Sequence, residues 1–231
     1  ETSWPILLTA QAGGALLEAK GILNADRKDK PGALLVSLKG KQVNELDPDL
    51  PPVGPYMLMA HVTKEGERYE VNDLRCRFGS SDLSGRLEVN LQNVRPQLKG
   101  IFTSKLIHVD ELSRPGDESD SPIPSEAVRA IDVDLDIAID KVQSGGLELA
   151  GLAFTAGLQA GRLTVESVQG TLLVQKAAYG NFHGGFTMDT KGPIPTLSGK
   201  ASFDHVRYEH LFPGVQFVNL TENVMNLDAR F

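Results

Sequence analysis

One segment of the chain is written twice. Asp82–Leu112 and Asn181–Leu211 align without a gap, at a constant offset of 99 residues. Gly85 falls on Gly184, Pro96 on Pro195, Leu98 on Leu197, Gly100 on Gly199 and Leu112 on Leu211. The apolar alternation is in phase as well, with Leu87 and Val89 over Phe186 and Met188. Shared punctuation in a shared phase implies one structural unit used at least twice. In such an array, function is expected in an extended surface rather than in a catalytic pocket.

Period-2 alternation recurs almost everywhere, and long helical periodicity almost nowhere. Leu34-Val36-Leu38 alternates with Leu35-Ser37-Lys39, and Ile131-Val133-Leu135-Ile137-Ile139 with Asp132-Asp134-Asp136-Ala138-Asp140. Turn signals stand at Glu65-Gly66, Asn93–Pro96, Gln159-Ala160-Gly161 and Lys191-Gly192-Pro193. The expected fold is mainly β, with long, twisted antiparallel strands forming a curved sheet or groove. A few short helices are expected at Val43–Leu46, Val109–Ser113 and Ser125–Arg129. The stretch Arg114–Pro124 is dense in Pro, Gly and acid and reads as a flexible loop. The expected organisation is a first β repeat unit over 1–113, the loop over 114–124 and a second unit over 125–231, together one continuous sheet. Arg68–Val71 resembles Arg162–Val165 at an offset of 94, so five extra residues are expected in a longer hairpin near Val174–Tyr179. Met225-Leu227-Ala229-Phe231 is still alternating at the last residue, so the sheet of a longer parent chain is expected to continue.

At 231 residues the chain can build a sizeable core. Its net charge of −7, with scattered Lys and Arg, lacks the electrostatic footprint of a nucleic-acid binder. No run is apolar enough to span a bilayer; Ile6–Leu17 comes nearest and is broken by Thr9, Gln11 and two glycines. The chain opens on Glu1 without a leader, and targeting and anchoring segments are expected outside it. Cys76 is the lone cysteine. Alternation sets it beside Leu74 and Phe78 with Arg75 and Arg77 opposite, the pattern of a small buried hydrophobe rather than an activated thiolate.

Catalytic patterns are missing. No Walker loop occurs, and Gly79-Ser80-Ser81-Asp82-Leu83 lacks the closing glycine of a nucleophile elbow. Gly180–Gly185 is glycine-rich but leads into alternating residues, whereas a phosphate cradle needs a helix N-terminus; a bend or bulge between strands fits better. The Asp132-Asp134-Asp136-Asp140 stripe places parallel carboxylates about 7 Å apart on one face, too far to converge on one cation. His205 and His210 lack metalloprotease spacing, and His205 aligns with Leu106, a packing position. No enzyme activity, cofactor or metal is expected. The competing enzyme reading would draw scattered carboxylates from different strands into one cleft.

The repeated hairpins have one apolar and one polar face. Leu87, Val89 and Leu91 continue into Leu98 and Phe102 in the first copy; Phe186 and Met188 continue into Leu197 and Phe203 in the second. With no long amphipathic helix to cover them, these nine residues are the candidate site, lining either a sandwich core or an open trough.

Pro55-Tyr56, Gly79–Gly85 and Arg95–Gly100, with Gly161–Thr164, Tyr179-Gly180 and Pro195–Gly199 in the second unit, resemble the AsmA family of bacterial envelope proteins. The chain departs from that pattern at Asn181, where the family more often has a second glycine. The resemblance implies an inner-membrane anchor outside this sequence, a periplasmic body and a role in outer-membrane biogenesis. It also implies an apolar β-groove that binds or conducts acyl lipid such as phospholipid between two membranes, with no catalytic motif. The alternative is a structural scaffold that recruits envelope proteins through edge strands and holds no lipid.

Overall fold

A computed structural model of the protein describes residues 3–24, 32–47, 50–112, 129–174, 177–191, 196–204 and 224–230. The described residues are 76% strand and 5% helix, mainly β as the alternation requires. Backbone contacts divide the chain into two compact units, Glu1–Ser121 and Pro122–Phe231, with the division inside the 114–124 stretch. That stretch lies outside the described residues, as do residues 125–128 of the helix expected at Ser125–Arg129, and also His205 and His210.

The first unit is a meander of β1 (Ser3–Ala12), β2 (Ala15–Asn24), β3 (Gly32–Gly40), β4 (Tyr56–Glu65), β5 (Arg68–Phe78), β6 (Ser81–Asn90) and β7 (Gln97–Ser104). Each strand pairs antiparallel with the next, and β1 and β7 do not meet, so the sheet is unclosed. A short strand β8 (Ile107–His108) and one helical turn α1 (Val109–Leu112) follow, and a 3-10 turn occupies Val43–Glu45. The second unit repeats the plan with β9 (Asp132–Ser144), β10 (Leu147–Gln159), β11 (Arg162–Val174), β12 (Ala177–Asp189), β13 (Thr196–Asp204) and β14 (Val224–Arg230). Two-residue turns join several strands. Gly145-Gly146 and Ala160-Gly161 both have positive φ at the two central positions, the backbone that matches the strand twist.

The duplicated segment is duplicated in register. Gly85 pairs with Phe102, Leu87 with Gly100 and Val89 with Leu98. At the offset of 99, Gly184 pairs with Ala201, Phe186 with Gly199 and Met188 with Leu197. The preceding strands repeat as well. Val71 pairs with Leu87 and Leu74 with Gly85 across a bulge; Val165 pairs with Phe186 and Val168 with Gly184 across the same bulge. In each bulge one non-glycine residue has positive φ, Asp73 at 52° and Ser167 at 54°, 94 positions apart. An inserted residue bends its strand and adds twist.

Candidate functional site

Directly opposed residues of an antiparallel pair share a face, so the register identifies two faces. In the first unit one face carries Ile6 and Leu8 from β1, Leu17 and Ala19 from β2, and Leu34, Val36 and Leu38 from β3. It continues through Leu58, Ala60 and Val62 of β4 and Val71, Leu74 and Cys76 of β5, to Leu87, Val89, Leu98 and Phe102. The bulges matter here. Val71 and Leu74 are three apart, so simple alternation would send one of them to the wrong face; the extra residue restores the apolar phase. The second unit builds the same face from Leu158, Leu163, Val165, Phe182, Phe186, Met188, Leu197 and Phe203.

All nine candidate residues therefore come from two equivalent hairpin pairs. Eight of them lie at paired positions on the apolar faces, four in each unit. Leu91 lies just beyond β6 in the connecting loop and is 42% exposed. Phe186 is 37% exposed; Leu87, Val89, Leu98, Phe102, Met188, Leu197 and Phe203 are half-buried and none is buried. Within each unit, and among the described residues, no second sheet lies over this face: the strands pack on their hairpin neighbours. Yet every buried strand residue among those described, namely Ala15, Ala19, Tyr56, Ala60, Ser81, Gly100, Ser104, Val165 and Leu172, belongs to it. A flat single layer would expose both faces alike. At the strand ends the burial is local, since Ser81 Oγ meets the His108 N–H and Ser104 Oγ lies 3.4 Å from Asp82 Oδ1. Along the strands, at Ala15, Ala19, Ala60, Val165 and Leu172, the side chains of the face converge as on the inside of a curve.

Glycines keep that floor low. A Cβ on Gly85 would run into the Ile101 carbonyl oxygen, and one on Gly184 into that of Lys200, the equivalent position. The space is also used by rings. Phe102 Cδ1 lies 2.8 Å from where a Gly85 Cβ would be, and Phe182 Cζ 2.9 Å from that of Gly170. Each aromatic lies down over the glycine paired opposite it.

The polar groups serve structure. At the turn between β5 and β6, Asp82 Oδ1 accepts from the Lys105 N–H at 3.0 Å and the Leu106 N–H at 2.9 Å. Ser81 Oγ accepts from the His108 N–H at 2.9 Å, and Glu111 Oε2 from the Ser80 N–H at 2.9 Å. That last bond holds the Glu111 carboxyl below its ordinary pKa. The Gly79–Asp82 motif is thus a clasp on the chain leaving β7. In the second unit, Asp132 accepts from the Ala160 N–H at 3.1 Å, while Asp134, Asp136 and Asp140 are exposed. No group of three metal-ligating side chains occurs among the described residues. Burial pushes the Cys76 thiol up, away from thiolate reactivity. No helix among the described residues is long and apolar enough to cross a membrane.

The alternation in the sequence located the hairpins and the apolar stripe; it did not reveal the bulges, because neither Asp73 nor Ser167 is a glycine. Compared with family models, curated proteins and solved structures, the chain matches none.

Proposed function

We propose that the protein is a non-enzymatic, AsmA-like envelope protein whose apolar β-groove binds or conducts phospholipid acyl chains between inner and outer membranes. One observation carries this reading: an apolar face runs across successive strands of each unit without a covering layer among the described residues. Bare, such a face is costly, at roughly 25 cal/mol per Å² of apolar surface, and large exposed apolar patches mark interaction surfaces. Acyl chains match it because the face offers almost no hydrogen-bonding partner; the head groups stay in water at the rims. The periplasmic location and an inner-membrane anchor outside this sequence belong to the same proposal and rest on the resemblance alone.

The test is native mass spectrometry and lipid extraction on the purified chain, with Val89→Asp and Met188→Asp variants. Each variant sets a carboxylate among acyl chains, which is strongly unfavourable without a partner. Co-purifying lipid is expected in the wild type and lost in variants whose circular dichroism is unchanged. Absence of lipid, with no crosslinking of photoreactive acyl chains to these faces, defeats the proposal. A second reading, a scaffold for envelope proteins, draws on β1: within the first unit this strand pairs only with β2, and Trp4 and Leu7 are 59% and 78% exposed. Protein capture that depends on β1 in lipid-free material favours that reading.

A further inference from the structure

On the polar face of the first unit, the bulge of β5 opens a shallow hollow of about 460 Å³, lined by Asn72, Arg75, Ser84, Arg86, Ile101 and Thr103 among others. Register fixes how these residues meet. Arg75 stands opposite Ser84, Ser84 opposite Thr103, and Arg86 one pleat further along β6 opposite Ile101. Arg75 and Arg86 are therefore diagonal neighbours on one face, at a spacing of about 7–8 Å. Both are exposed, and neither has an ion-pair partner among the described residues. Three carboxylates stand nearby: Asp73, itself a lining residue of the hollow, lies 3.2 Å from His61 Nδ1, Glu88 pairs with Arg68 at 2.9 Å, and Asp82 is held in the clasp. Two adjoining guanidiniums repel each other, and a chain of net charge −7 has carboxylates to spare for neutralising them.

Most of these residues are also not part of the repeat. At the offsets that carry every structural feature of the hairpins, Arg75 becomes Gln169, Ser84 becomes His183, Arg86 becomes Gly185 and Thr103 becomes Ser202. The pairing, the bulge and the apolar face recur in both units; of this cluster only the hydroxyl of Thr103, as Ser202, recurs, and the two arginines do not. A pair of arginines flanked by two hydroxyls and an amide matches a phosphate group, whose oxygens take guanidinium donors in pairs and hydroxyl donors between them. We propose that this hollow binds a phosphate group, carried either by a lipid at a bilayer surface or by a small soluble phosphate. The site faces away from the groove and does not depend on acyl-chain binding there.

The test titrates the isotopically labelled chain with inorganic phosphate and with glycerol 3-phosphate, at ionic strength held constant with chloride, and reads amide shifts. A second arm measures sedimentation with phosphatidylcholine vesicles with and without phosphatidate. Shifts are expected at residues 72–75, 84–86 and 101–103. Arg75→Gln/Arg86→Gln should weaken binding by about ten-fold or more, while Lys39→Gln/Lys41→Gln, which removes the same charge elsewhere in the unit, should not. Loss of phosphatidate-vesicle binding in the arginine variant assigns the lipid-borne source; an effect confined to the soluble phosphates assigns the other. The proposal is overturned if the wild type shows no phosphate-specific shift, a result that needs no variant. It is equally overturned if the arginine variant binds as well as wild type, or if the lysine variant loses as much.

Discussion

Gly151 lies within β10 at φ 61°, with open space where a Cβ would be. Alanine there meets no atom, so its cost is that of the left-handed backbone, about 1–2 kcal/mol, less what alanine removes from the entropy of the unfolded chain. Gly151→Ala should lower the urea midpoint accordingly. Ser167, at φ 54°, is the converse case: Ser167→Gly removes the backbone cost but adds chain entropy to the unfolded state, so a gain below about 1 kcal/mol is expected. A lower midpoint for Ser167→Gly would mean that the serine side chain, not the bulge backbone, holds that position. The bulge was not legible in the sequence. A serine gives no sign of positive φ, because nothing local favours it; the strand pairing on either side imposes it.

Among the elements, the clasp at the turn between β5 and β6 joins residues that are far apart in sequence. Asp82 accepts from two backbone N–H groups more than twenty residues away. Asp82→Ala leaves both without that acceptor, at a cost of about 1–3 kcal/mol, and amide exchange at Lys105 and Leu106 should accelerate. Asp82→Asn keeps an oxygen in place and should change exchange much less; equal acceleration in both would show that charge, not the acceptor, matters. Glu111 gives the clasp a pH dependence. Its folded-state pKa is depressed, so its contribution is complete above the unfolded-state value and is lost as pH falls through the folded one. Glu111→Gln should flatten that acid limb. The helices at Val43 and Val109 and the turns at Glu65-Gly66, Asn93–Pro96 and Gln159–Gly161 were legible from composition and punctuation, while the turn expected at Lys191-Gly192-Pro193 runs into residues 192–195, outside the described residues. In the sequence Gly79–Asp82 shows only an incomplete nucleophile elbow, because its partners are set by tertiary pairing that no local pattern encodes.

In each unit every strand depends mainly on its immediate neighbours, the condition under which stability is a sum of adjacent contacts. The apolar stripe was legible in the sequence because strand alternation is strict between bulges. The arginine pair was legible only as two positions on an outer face, since the hollow between them exists only once β5 bulges against β6. The five-residue difference between the copies has its own place. Phe78 pairs with Ser81 across a two-residue turn, and the equivalent pair is Leu172 with Gly180, beyond which the second hairpin runs on. The additional residues sit entirely past that pair, leaving every pairing below it unchanged. Replacing Leu173–Tyr179 with Gly-Ser, the turn of the first copy, should give a folded chain with the β12–β13 pairing intact by amide exchange. Length is therefore an independent variable in this architecture. Each hairpin can be trimmed or extended at its tip, as a board is cut at its end without shifting the joists, so the breadth of the sheet can vary from one station to the next while the spacing along it stays fixed.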